Sequence, residues 1–172
     1  RDEAGSWEAA VTSWLAQDVE RLQVIAVDDR STDGSFAVLE RLARRDSRLT
    51  VLRVEQRPQG WLGKCHALAE AARHAHGEYI VFTDADVRFE QGTLRRALAL
   101  AAREDLDHVT LLPDVEVDSP AQKAFTLAFF HEFLLAARGD RANSGDGACF
   151  IGVGAFNMVR RRAYEAAGGH EP

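Results

Sequence analysis

The sequence predicts an α/β fold, a mostly parallel sheet flanked by helices. Three observations carry that expectation. Short apolar runs rich in β-branched residues alternate with longer runs whose apolar positions recur at helical spacing. Strand, helix, strand, helix is the order of a parallel sheet with crossover helices. Two of the short runs end abruptly in acids, Asp28-Asp29 and Asp84-Ala85-Asp86, and ligands of open α/β sheets collect where strands end.

The 172 residues suffice for one domain, 1–172, with a core of its own. At 46% hydrophobic and 28% charged the composition is that of an ordinary globular domain. The net charge of −6 argues against nucleic acid, or an anionic membrane surface, as a partner for the whole surface. Lys64 and Lys123 are the only lysines, so a lysine inside a motif stands out. Cys65 and Cys149 fit no zinc or redox spacing and read as free thiols of a reducing compartment. No stretch has the roughly 18 uncharged apolar residues of a membrane span. The chain opens on Arg1-Asp2-Glu3 with no methionine, so it is expected to be a piece of something longer.

Taken in order, Ser6 is placed as the cap of a first helix, with Trp7, Ala10, Val11, Trp14 and Leu15 on one face. Residues 23–27 form a buried strand that ends in Asp28-Asp29. Ser31 or Thr32 is expected to cap the next helix, whose apolar face is Phe36, Val38, Leu39 and Leu42. Residues 49–54 alternate as a strand, and 56–63 make a loop around Pro58, Gly60 and Gly63. A helix over 64–76 stops at Gly77. Residues 79–83 are a short, fully buried strand leading into Asp84 and Asp86. A helix over 93–103, a strand over 109–112 and a long helix from Pro120 to about 138 follow. Phe125, Phe129, Phe130 and Phe133 on that long helix are read as core, with a lid for a lipid-like acceptor or a membrane contact as the alternative. A glycine-rich loop over 139–147, a strand over 150–159 and a short helix over 160–167 complete the chain. Because α/β units normally open on a strand, one is expected ahead of Arg1.

The acids carry the chemical argument. Residues two apart on an extended chain point the same way, so Asp84 and Asp86 could share a hard cation, or a diphosphate held by one. Asp28-Asp29 at a strand end could accept from a nucleobase or from ribose hydroxyls, beside a helix start that favours anions. The run from Ser31 to Gly34 also reads as a plain capping sequence. Lys64 opens a helix, where its charge opposes the macrodipole unless a phosphate lies nearby; a solvated surface lysine is the other reading. The six histidines show no metal spacing, and no nucleophile elbow or GxGxxG fingerprint occurs.

Together these stretches resemble the catalytic domain of an inverting family 2 glycosyltransferase of the GT-A fold. The resemblance rests on Val27-Asp28-Asp29-Arg30-Ser31-Thr32-Asp33-Gly34, Gly60-Trp61-Leu62-Gly63-Lys64 and Asp84-Ala85-Asp86. It extends to Asp2-Glu3-Ala4 near the start and to Phe156-Asn157-Met158-Val159-Arg160-Arg161 and Gly168-Gly169-His170 near the end. The Gly-Trp-x-Gly-Lys form is closest to bacterial branches acting near membranes on lipid-linked acceptors.

The resemblance implies a GT-A sheet, Rossmann-like and mostly parallel, with its first strand and C-terminal part outside this chain. It implies metal-assisted transfer of a hexosyl unit from a nucleoside-diphosphate sugar, UDP-sugar first among them, to an acceptor hydroxyl. Asp28, Asp29, Ser31, Lys64, Asp84 and Ala85 would bind the nucleotide sugar. Asp86, with Asp84, would hold Mg²⁺ or Mn²⁺ against the departing diphosphate. The general base is expected beyond Pro172, and the location expected is cytoplasmic, at the inner face of a bacterial membrane, with membrane segments outside this chain. Two other readings stay open: a nucleotide-sugar-binding domain without turnover, and a sugar nucleotidyltransferase.

Overall fold

The structure, a computed structural model, describes residues 2–138, 141–142, 144 and 151–171. In chain order the elements are α1 (Trp7–Leu15), β1 (Val24–Asp29), α2 (Ser35–Ala43), β2 (Leu49–Val54), α3 (Gly63–His74) and β3 (Tyr79–Phe82). Then follow α4 (Thr93–Arg103), β4 (His108–Thr110), α5 (Pro120–Ala136), β5 (Asn157–Arg160) and α6 (Arg161–Ala166). The α/β architecture of helices around a largely parallel strand set is the one expected.

β1 and β2 pair in parallel, Val24 opposite Leu49 through Asp29 opposite Val54. One core forms where α1 and α2 cover this pair. Trp7, Ala10, Val11 and Trp14 are buried at the i, i+3, i+4, i+7 spacing that makes α1 amphipathic, and Leu39 and Leu42 of α2 join them. A second core gathers Leu94, Ala97 and Ala101 of α4 against Val109, Phe156 and Met158.

α1 also ties the two halves together. Buried Gln17 donates to the carbonyl of Glu90 (2.9 Å) and accepts from the N–H of Leu94 (3.1 Å). Trp14 Nε1 donates to the Val87 carbonyl at 3.0 Å, and Phe89 N–H donates to Ser13 Oγ at 3.0 Å. These contacts hold the segment after β3 against the β1–β2 half.

The second sheet departs from an all-parallel reading. Its order is β3-β5-β4, and β5 runs antiparallel to both neighbours. The chain between Thr110 and Asn157 is far longer than an ordinary crossover, and it returns to enter β5 at the carboxyl ends of β3 and β4. Leu111 N–H, just past β4, donates to the carbonyl of Phe156, just ahead of β5 (3.3 Å). Strand–helix alternation carries no information about direction when the connection is that long.

Several boundaries also move. β1 runs on to include Asp28 and Asp29. The last strand is Asn157–Arg160, shorter than the expected 150–159. Neither Ser31 nor Thr32 caps α2: Asp33 accepts from the N–H and hydroxyl of Ser35 (3.0 and 2.6 Å). Ser31 and Thr32 instead hold the start of the chain, Ser31 Oγ accepting from Asp2 N–H and Thr32 N–H donating to the Asp2 carboxylate.

α5 begins at Pro120 as expected, and Ser119 caps it, its side chain accepting from Gln122 N–H. Its aromatic stripe is not core. No residue of α5 is buried, and Phe125 and Phe129 are 74% and 57% exposed. Spacing shows which residues share a helix face, but not whether another element covers it. Of the expected loop over 139–147, only 141, 142 and 144 are described; Cys149 and Phe150 lie outside the described residues. Cys65 is a free thiol. Among the described residues no helix is long and apolar enough to cross a membrane.

Candidate active site

An opening lies at the carboxyl ends of β1 and β3, beside the edge of β1 not taken by β2 and the edge of β3 not taken by β5. Asp29, Lys64, Asp84 and Ala85 line it together. The carboxyl ends of β1 and β3 and the first turn of α3 therefore meet at one opening, as expected for an α/β ligand site.

Asp29 is the β1 contribution. Its side chain is 16% exposed and held by the forked guanidinium of Arg30, Nε to Oδ1 at 2.7 Å and a terminal nitrogen to Oδ2 at 3.1 Å. Arg30 has φ +56°, a left-handed conformation that costs a non-glycine residue about 1–2 kcal/mol. That backbone turns the chain sharply off the strand and lets its side chain fold back on Asp29. Gly63, at the head of α3, lies just above: a Cβ there would come within 2.9 Å of Asp29 Oδ2.

Lys64 and Asp84 are the other half. The Lys64 ammonium donates to Asp84 Oδ1, and both side chains stay substantially exposed. A cation on the first turn of α3 is thus matched by a carboxylate from the end of β3. Behind them, Thr83 Oγ1 donates to the carbonyl of Ala155 (2.7 Å).

Two expected site residues are placed elsewhere, and a third, Asp86, lies on the turn just after Asp84. Asp28 alternates to the opposite face of β1 from Asp29, with Val24 and Ala26. It is 1% exposed, and neither carboxylate oxygen has a hydrogen-bond partner among the described residues. Ser31 is occupied by the backbone of Asp2. Asp86 is exposed and does not line the cleft. The strand stops at Phe82, and Val87 N–H bonds back to the Asp84 carbonyl (3.3 Å). Asp84 therefore opens a turn that contains Asp86, and the two acids do not share a face of an extended strand.

Among the described residues no group of three or more His, Cys, Asp or Glu side chains could hold a metal ion. A bare divalent ion has no protein cage here. Two carboxylates suit an ion that takes its remaining oxygens from phosphates and water, the usual habit of Mg²⁺.

The structure adds two features to the expected site. Arg30 as the partner of Asp29 could have been suspected from adjacency alone. The Tyr164–His170 pair could not: Tyr164 Oη lies 2.9 Å from His170 Nδ1, and the imidazole packs edge-on to Phe82 at 4.8 Å, at the end of β3. Burial pushes the imidazole below its ordinary value and the Tyr164 phenol above its own.

Strands whose acidic ends meet a helix-borne lysine at one opening define an α/β domain of GT-A type. The chain belongs to glycosyl transferase family 2: the model of the family described as "Glycosyl transferase family 2" matches residues 2–168. A Bacillus subtilis protein described as a putative teichuronic acid biosynthesis glycosyltransferase, TuaG, is 32% identical over 91 residues. That match covers 53% of this chain and 34% of TuaG. Among solved structures, the mannosyltransferase PcManGT from Pyrobaculum calidifontis, in complex with GDP-Man and Mn²⁺, matches with a TM-score of 0.71 at 28% identity. The match covers 97% of this chain and 44% of that one. The chain thus spans about a third of the curated relative and under half of the solved one.

Proposed function

We propose that this chain forms the donor site of a glycosyltransferase, which moves a sugar with inversion from a nucleoside-diphosphate sugar to an acceptor hydroxyl. One observation carries the reading: Asp29, Lys64 and Asp84 line a single opening at the carboxyl ends of two strands. Asp29, steadied by Arg30, accepts from the base or ribose. Lys64 and the unfilled N–H groups at the head of α3 face the diphosphate. Asp84, with Asp86 from the adjoining turn, holds Mg²⁺ or Mn²⁺ against that diphosphate. Such an ion, when bound, offsets the negative charge that grows on the leaving group. The protein's part is to present the two acids and the lysine at fixed positions, so that little reorganisation is needed as charge develops.

The resemblance favours a uridine donor, whereas the solved neighbour holds GDP-Man; the two are tested side by side. The exposed aromatic rings of α5 suit an acceptor with an apolar, lipid-like part. Calorimetric titration of UDP and GDP, each with Mn²⁺, is expected to show binding that Asp29→Ala and Asp84→Ala each weaken at least about ten-fold, near 1.4 kcal/mol. Parent-like binding by both variants would remove the site.

A further inference from the structure

We propose that Gly154 is a positioning residue for Asp84, its missing side chain leaving the space in which the Asp84 carboxylate meets Lys64. The inference rests on the donor-site reading above and adds a third strand's contribution to it. Because β5 runs antiparallel beside β3, with Asn157 opposite Phe82, the residues that lead into β5 lie against those that leave β3. The Thr83–Ala155 hydrogen bond fixes that apposition one residue to each side of the pair.

Gly154 then faces the acid directly. A Cβ at this position would lie 2.7 Å from Asp84 Oδ2, 3.5 Å from its Cγ and 3.1 Å from Lys64 Nζ. Optimal carbon contacts are about 3.5–4.0 Å, so a methyl group there displaces the carboxylate, the ammonium or both. The three nearest atoms all belong to the functional pair and none to backbone. The steric cost therefore falls on flexible side-chain ends at the site and not on the fold. Backbone conformation does not demand glycine either, since Gly154 is not among the glycines with positive φ. Gly152, two residues earlier, is a natural control: among the described residues its Cβ would meet only Asn157, at an ordinary 3.7 Å.

Four variants test the proposal: Gly154→Ala, Gly152→Ala, Asp84→Ala and the double variant Gly154→Ala/Asp84→Ala. Each is followed by thermal melting and by titration with Mn²⁺ plus UDP or GDP. Gly154→Ala is expected to melt like the parent and to bind about ten-fold more weakly, while Gly152→Ala binds normally. In the Asp84→Ala background Gly154→Ala should cost clearly less than it does alone, because the carboxylate it displaces is gone and only Lys64 remains near it; a purely structural role would give an additive loss. Additive losses overturn the proposal. So does parent-like binding by Gly154→Ala where Asp84→Ala binds poorly, an outcome that leaves the donor site standing. Parent-like binding by Asp84→Ala removes the donor site itself, and the inference with it. If Gly154→Ala unfolds the chain, pairing it with Asp84→Gly should restore folding, and a double variant that stays unfolded overturns the role assigned to Gly154.

Discussion

The Lys64 ammonium and the Asp84 carboxylate pair across the mouth of the cleft, joining the first turn of α3 to the end of β3. The pair has a consequence for metal binding. A cation already sits where a divalent ion would approach Asp84. On the proposed reading, Lys64 would compete with a bare ion, yet assist once a diphosphate brings charge enough for both.

Lys64→Ala is accordingly expected to have opposite effects on two ligands. Mn²⁺ alone should bind more tightly than to the parent, because Asp84 is released. Nucleoside diphosphate with Mn²⁺ should bind about ten-fold more weakly, since a charge-assisted contact is lost. The pair is exposed, so its removal should change stability by no more than about 1 kcal/mol. Calorimetry with and without nucleotide reads both effects, and a parallel fall in both affinities would contradict the competition.

Arg30→Gly separates strain from function at the β1 end. Glycine accepts the left-handed backbone at residue 30 without a Cβ clash, so the melting temperature should hold or rise. The guanidinium fork on Asp29 is lost at the same time, and nucleotide affinity should fall several-fold. A variant that melts lower and binds normally would show that Arg30 serves the fold.

Asp33 predicts how stability depends on pH. The Ser35 hydroxyl first, and the Ala4 N–H next, hold its carboxyl at about 2, below the ordinary 3.8. A carboxyl depressed in the folded state contributes stability above its unfolded value and loses it as pH falls through the folded one. The parent should therefore lose melting temperature between about pH 4 and pH 2. Asp33→Asn should melt below the parent at pH 7, and the gap should narrow toward pH 2. Part of the acid sensitivity should survive in the variant, because Arg48 holds Asp46 at about 2 in the same way. A gap constant from pH 7 to pH 2 would contradict the assignment.

Gln17→Leu tests the link between the halves. The substitution leaves the buried N–H of Leu94 without its acceptor, and an unsatisfied buried group costs about 1–3 kcal/mol. Denaturant unfolding should show a loss of that size. Nucleotide affinity should fall as well, because the segment from Asp84 to Leu94 is anchored through Gln17 and its neighbours; unchanged affinity would show that the anchor does not reach the site.

How much was readable in advance differs by residue. Trp7, Val11, Leu39 and Leu42 announced their burial through helical spacing, and β2 and α4 fell on the residues expected. Asp29, Lys64 and Asp84 were visible as polar breaks at the ends of apolar runs. Asp28 was paired with Asp29 by adjacency, yet side-chain alternation along a strand that extends through both residues sends it to the other face. An extended chain would put Asp84 and Asp86 on one face, whereas a turn begins at Asp84 and sets Asp86 on it. Phe125 and Phe129 are exposed despite their apolar spacing, because apolar character leads to burial only where a partner surface is present.

What the sequence determined by itself is therefore local: where strands and helices lie, which faces are apolar, and which acids stand at strand ends. Those follow from side-chain periodicity and from the chemistry of neighbouring residues. Only the tertiary structure decided that β5 enters the second sheet antiparallel, and hence that Gly154 lies against Asp84. Strand direction depends on how a long connection returns to the sheet, and no short-range pattern in the residues encodes that path.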